Sequence, residues 1–141
     1  MFTLDSRLKE DSLVLGDFPL CRLLLSKDAH YPWFILVPRL PDISELFELD
    51  EQQQRQLWEE TTYLAEQLKI AFSADKMNVA TLGNVVSQLH MHVIVRYRDD
   101  AAWPAPVWGR QPAGHYTQEQ VEGIRQRLRP VLGNDFIFTE V

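Results

Sequence analysis

Ser87-Gln88-Leu89-His90-Met91-His92-Val93-Ile94-Val95-Arg96 is the stretch on which the reading of this chain turns. Apolar and polar residues alternate through it, and on a strand successive side chains point to opposite faces. Leu89, Met91, Val93 and Val95 share one apolar face. Gln88, His90 and His92 share the other, which is polar at its start and apolar again at Ile94. The pattern predicts a strand over Gln88–Tyr97 that lays its apolar face on a helix. Two imidazoles and a carboxamide would then stand side by side on the opposite surface.

Outward from this strand the pattern supplies the rest of a small domain. A Gly83-Asn84 turn precedes it, and Lys76–Leu82 reads as the strand before the turn. Asp50, with Gln53 three residues on, forms a capping box that opens a long helix. Leu57, Thr61, Leu64, Leu68 and Phe72 recur along it at helical spacing as one buried stripe, opposite the polar Glu51, Gln52, Arg55, Glu59 and Glu66. Ile43–Leu49 reads as a helical turn on the approach. Nearer the start, Leu13–Phe18, Leu20–Ser26 and Trp33–Val37 are strand-length apolar runs, with Gly16-Asp17 marking a bend or bulge. Residues 2–10 fit a short leading helix carrying Phe2, Leu4 and Leu8.

Downstream, a loop with prolines and tryptophans runs from Asp99 to Gly114. Thr117 and Gln120 then form a second capping box, starting a helix with the stripe Val121, Ile124, Leu128 and Leu132 that Pro130 kinks or ends. Phe136-Ile137-Phe138 is a short last strand or an arm. Short connections between neighbouring strands favour an α+β domain: a five-stranded antiparallel meander, a long helix and a C-terminal helix, with the helices on one face. Residues 1–141 are expected to make one such domain.

Composition narrows the function. The chain has 141 residues, 45% of them hydrophobic and 24% charged, which are ordinary globular values. Its 14 Lys and Arg against 20 Asp and Glu leave a net charge of −6, with no basic face for a nucleic-acid backbone. Arg96/Arg98 and Arg125/Arg127/Arg129 read as solvated faces, with room for a small phosphate-bearing ligand near the first. No run approaches the roughly 20 apolar residues that span a bilayer, and the N-terminus lacks a secretory pattern. One cysteine, Cys21, cannot close an intrachain disulfide and reads as a buried small hydrophobe. The expectation is a cytoplasmic protein without membrane or nucleic-acid partners.

The polar face carries the chemistry, because every buried ring nitrogen needs a partner. Three readings stand at this point. Gln88, His90 and His92 are the wet face of a strand; or the imidazoles bind a metal, with His30, His115, Asp28 or Glu140 as further ligands; or one imidazole is a nucleophile oriented by its neighbours.

The string Gln88-Leu89-His90-Met91-His92-Val93-Ile94-Val95 resembles the histidine triad (HIT) motif, His-x-His-x-His with apolar residues between and after. The Pro32-Trp33-Phe34-Ile35-Leu36-Val37-Pro38 strand, the long helix, the next strand and the Gly-Asn turn follow that family's order, from about Leu13 to Arg98. The resemblance implies an α+β nucleotide hydrolase or transferase, a homodimer, with no metal and no cofactor. It implies that the middle histidine, here His90, attacks the α-phosphate of a nucleoside 5′-phosphoryl compound to form a nucleotidyl-histidine. Candidate substrates are an adenosine phosphoramidate, an adenylylated group or a dinucleoside polyphosphate. The third histidine falls on His92 as phosphate donor and proton partner. Gly83 and Asn84 fall where that family faces the phosphate.

The chain also departs from the pattern. Gln88 stands at the first triad position, where it can hydrogen-bond but not carry a proton charge, so an orienting role toward His90 or the neighbouring strand is expected. The upstream histidine of some members falls near Trp33 or Phe34, with His30 off register on the preceding loop. Ser26 and Asp28 are the candidates for nucleoside contact, and both are also ordinary turn residues. Trp103 and Trp108 either wall a nucleobase pocket or cover the sheet as core. The rival expectation is a nucleotide-binding module with little or no turnover. The enzymatic reading expects the His90 ring to project into a cavity sized for a nucleoside monophosphate.

Overall fold

In the computed structural model, which describes residues 1–110, 112–133 and 135–139, both predicted capping boxes are formed. Asp50 accepts from the Gln53 N–H and the Gln53 side chain accepts from the Asp50 N–H, opening α2 (Glu51–Ala71). Thr117 and Gln120 repeat the exchange for α3 (Gln118–Leu128). Each pair satisfies donors that a helix start leaves open. Leu57, Thr61, Leu64 and Leu68 are buried along α2 and Phe72 at its end, as the spacing predicts. A short α1 (Ser6–Glu10) is capped by Asp5 and buries Leu8, and residues 46–48 make one 3₁₀ turn.

The fold class is α+β, as expected, and its sheet is antiparallel. The strands are β1 (Ser12–Asp17), β2 (Cys21–Ser26), β3 (Trp33–Pro38), β4 (Lys76–Ala80), β5 (Met91–Arg96) and β6 (Ile137–Phe138). Their order is β4-β5-β3-β2-β1-β6, which refines the five-stranded meander in two ways. After α2 the chain re-enters at the sheet edge as β4, so β5 rather than β4 lies against β3. Residues 137–138 add a sixth strand on β1. Gly16 permits that addition, since a Cβ there would stand 2.3 Å from the Ile137 carbonyl oxygen. The register of β1 also shifts between Val14 and Gly16, where the sequence marks a bulge.

Alternation sorts the two faces. Leu23, Leu25, Phe34, Leu36, Met91, Val93 and Val95 point to the side that carries α2 and α3. Leu24, Ile35 and Val37 point to the other side and meet Leu8 of α1, with Phe2 and Leu4 beside it. The helices are therefore not all on one face: α1 lies opposite the other two, on the side of the histidines. There too Ile94 packs with Tyr31, Ala102 and Val107 under the loop that follows β5.

Three buried charges organise this frame. Arg96 belongs to no solvated face; it is 1% exposed. It donates to Asp100 at 2.7 and 3.0 Å, to Asn78 Oδ1 at 2.8 Å and to the Ala105 carbonyl at 2.9 Å. Burial opposes ionisation of Asp100, but Arg96 and the N–H groups of Tyr97, Trp103 and Ala102 outweigh it and hold the pKa at about 2. Arg125 also turns inward, toward the carbonyls of Val14 and Thr139, leaving Arg127 and Arg129 on the exposed side. Glu60 accepts from the Leu20 and Cys21 N–H groups at 2.8 Å each, tying α2 to the start of β2. Cys21 is buried beside it, as expected.

Removing Asp100 leaves Arg96 buried with its charge uncompensated. Asp100→Ala is expected to cost about 3–5 kcal/mol of stability, read as a lower midpoint in urea unfolding.

Candidate active site

β5 begins at Met91, three residues later than the alternation predicts. The approach is held by other partners: the Leu89 N–H donates to the Ile43 carbonyl at 2.9 Å, and Thr81 Oγ1 donates to the His90 carbonyl at 2.7 Å. Leu89 still joins the core, whereas the Gln88 side chain leaves the histidine row. Its Oε1 accepts from the Asp5 N–H at 2.8 Å and its Nε2 donates to the Thr3 carbonyl at 2.9 Å. It therefore holds the N-terminal segment rather than an imidazole. Only its backbone carbonyl meets His90.

His90 and His92 do come together, with ring centroids 4.8 Å apart. Their hydrogen bonds assign opposite tautomers. His90 Nδ1 lies 2.7 Å from the Gln88 carbonyl, an acceptor only, so Nδ1 carries the proton and Nε2 keeps its lone pair. His92 Nδ1 lies 2.9 Å from Trp33 Nε1, a donor only, so Nδ1 is the acceptor and Nε2 carries the proton. One ring thus offers a nucleophilic nitrogen and its neighbour an N–H donor. Trp33 is the residue that the sequence reading placed near the missing upstream histidine without giving it a role. The signal for it lay in the register, since β3 runs antiparallel to β5 with Ile35 opposite His92 and Trp33 opposite Ile94.

The pair is enclosed. His90 is 5% and His92 6% exposed, so the ring expected to project into an open cavity lies nearly flush with its surroundings. Trp108 stands edge-on to His92 at 5.0 Å and to Trp33 at 5.5 Å. Trp103 lies under the Arg96 guanidinium at 5.5 Å. The two tryptophans thus cover the sheet, and Trp108 also walls the histidines. Burial, reinforced by the neighbouring His90, pulls the His92 pKa down to about 3, so His92 is neutral at pH 7. A polar cavity of about 530 Å³ opens beside Gln88, lined among others by Thr3, Asp5, Asp42, Ser44 and Ser87.

The remaining candidates lie farther along the chain. Gly83 adopts a φ of 78°, the left-handed region that favours glycine, and begins the loop that leads back to His90. Asn84 is exposed beside it. Ser26 ends β2, and its Oγ accepts from the Asp28 N–H at 3.3 Å. The Asp28 carboxylate is engaged by the His30 N–H and ring and by the Gly114 N–H, so it serves the loop. Among the described residues, no three His, Cys, Asp or Glu side chains are grouped to hold a metal ion; Glu140 lies outside the described residues.

A HIT domain model matches residues 7–99, about two-thirds of the chain. The chain belongs to the HIT family. Histidine triad proteins of known structure from Marinobacter aquaeolei and Bradyrhizobium japonicum are 50% and 47% identical to it. The first aligns over 94% of this chain and 96% of its own with a TM-score of 0.91, the second over 92% and 97% with 0.90. A histidine triad protein from Sinorhizobium meliloti is 43% identical over 94% of this chain and 98% of its own, with a TM-score of 0.91. No curated protein matches the chain. This HIT protein also contains no helix long and apolar enough to cross a membrane among the described residues.

The low pKa of His92 has a direct readout. An unfolded histidine titrates near 6.5, so between about pH 6.5 and 3 the unfolded chain binds the extra proton and stability falls as pH falls. His92→Asn is expected to flatten that slope. In NMR of the imidazole nitrogens, Trp33→Phe is expected to raise the His92 pKa and to free its tautomer.

Proposed function

We propose that this HIT protein is a nucleotide hydrolase or transferase acting on nucleoside 5′-phosphoryl compounds: an adenosine phosphoramidate, an adenylylated group or a dinucleoside polyphosphate. The observation that carries the reading is the pair of opposite tautomers. His90 Nε2 is the only ring nitrogen of the two with a lone pair not already engaged by a neighbour. It attacks the α-phosphorus and the bond from phosphorus to the leaving group breaks, while the His92 Nε2–H donates a hydrogen bond to a phosphoryl oxygen; the leaving group departs with the bonding pair and takes its proton from solvent. Water or another acceptor attacks the nucleotidyl-histidine in turn, the phosphorus–Nε2 bond breaks, the acceptor's proton passes to solvent, and the nucleotide is released.

In this mechanism His92 works as a neutral hydrogen-bond donor whose N–H is aimed by Trp33 at the charge developing on the phosphoryl oxygens. Gly83 and Asn84 contribute backbone and amide donors to the phosphate, and Ser26 contacts the nucleoside. The fixed donors do the work of a cation, and the scheme uses no cofactor. The single buried Cys21 thiol agrees with a reducing, cytoplasmic setting.

The test is incubation with adenosine 5′-phosphoramidate and a dinucleoside polyphosphate, followed by acid quench and mass spectrometry. The expected result is an acid-labile nucleotide adduct on His90, absent in His90→Asn, with turnover lowered about 10²–10³-fold in His92→Asn. No adduct and no turnover in the wild type overturn the reading. The near-complete burial of both rings favours a second one, a nucleotide-binding module with little or no turnover, which AMP binding without hydrolysis would select.

We also propose a homodimer. The edge strand β4 and the loop after it expose Val79, Leu82 and Val85, and an unpaired edge with apolar side chains invites a second copy. Light scattering is expected to give about twice 16.4 kDa, and Leu82→Glu to shift the mass toward the monomer.

A further inference from the structure

Both polar atoms of the Gln88 carboxamide bond to one segment. Its acceptor takes the Asp5 N–H and its donor meets the Thr3 carbonyl, so the side chain clamps backbone groups two residues apart. A second tie runs from Arg7 Nη1 to the Val85 carbonyl at 2.8 Å. A third is apolar: Phe2, Leu4 and Leu8 rest on Leu24, Ile35 and Val37, with Val86 closing from the loop side. Ile35 is opposite His92 in the β3–β5 ladder and Leu24 is opposite Ile35, so this strip is the sheet surface next to the imidazoles. The segment and the 83–88 loop thus grip one another beside the site, and His90 hangs from the same residue through the Gln88 carbonyl.

The residue type fits this task better than a histidine would. A carboxamide presents one donor and one acceptor side by side at one end, whereas the two nitrogens of an imidazole point away from each other. A carboxylate has no donor for the Thr3 carbonyl.

We propose that Gln88 is a positioning residue that latches residues 2–8 in place as one wall of the histidine site. The proposal rests on the nucleotide reading above and deepens it: at the first triad position this chain exchanges a titratable ring for a fastening. The wall sets how a substrate is held, while the chemistry stays with His90 and His92.

The experiment compares wild type, Gln88→Ala, Gln88→Glu and a deletion of residues 2–5 with and without Gln88→Ala. Hydrogen exchange of the Asp5 and Lys9 amides, the rate of diethylpyrocarbonate modification at His90, and hydrolysis of adenosine 5′-phosphoramidate are measured. Loss of the clamp in Gln88→Ala is expected to speed exchange at Asp5 about tenfold, and Gln88→Glu, which keeps the acceptor for the Asp5 N–H and loses only the donor to Thr3, to speed it less. His90 modification should accelerate too, KM should rise several-fold with kcat within about threefold, and the pH profile should keep its shape. In the deletion background Gln88→Ala should add nothing further, because the latch has nothing to hold. Unchanged exchange and unchanged modification in Gln88→Ala overturn the latch. So does a fall in kcat at constant KM that persists in the deletion background, since that assigns Gln88 to the chemistry. If the wild type turns over no nucleotide, the function reading fails, and the exchange and modification rates still decide the latch by themselves.

Discussion

The ladder between β3 and β5 is the constraint on which the site depends. It pairs Ile35 with His92 and Leu36 with Met91, and it decides which side chains of β5 enter the core. Met91, Val93 and Val95 pack against Leu57, Leu64 and Leu68, so a slip of one residue would drive His92 into an apolar interior and expose three core residues. The cost of that slip fixes the register. The same register sets Trp33 diagonally across from His92, close enough for the indole N–H to reach Nδ1. Hydrophobic packing on one face of the sheet thus determines a proton's position on the other.

Enclosure gives that arrangement its electrostatic character. His92, short of solvent and in contact with the His90 ring, is held neutral by burial and by that neighbour. Each ring answers its neighbours with a complementary donor and acceptor. Arg96 shows the opposite solution a few residues along the strand, where a buried charge is retained because Asp100, Asn78 and a backbone carbonyl surround it.

Much of this was legible in the sequence, for local reasons. The alternation at 89, 91, 93 and 95, the stripe from Leu57 to Phe72 and both capping boxes are short-range patterns governed by strand and helix geometry, and each appears in the structure. The HIT motif carried the family. What escaped the reading was long-range. Gln88 binds residues more than 80 positions away, so alternation alone placed it in the wrong row. Arg96 looked like surface because its neighbour Arg98 does, yet its partner Asp100 sits on a loop that the strand pattern does not describe. Trp33 acquires its meaning only once β3 and β5 are side by side. Residues 136–138 read as a short last strand or an arm, but not as a partner of β1, where Gly16, far upstream, makes room for them.

The Arg96–Asp100 pair roots the loop carrying Trp103 and Trp108 at its base, beneath the surface, and Ala105 is bound back to the same guanidinium. Such a loop separates anchorage from display. Its visible tip is open to redesign, with new aromatic or polar groups facing whatever approaches the histidines, while the foundation under β5 carries the mechanical load unchanged. A scaffold of that kind can diversify what it recognises without renegotiating how it folds.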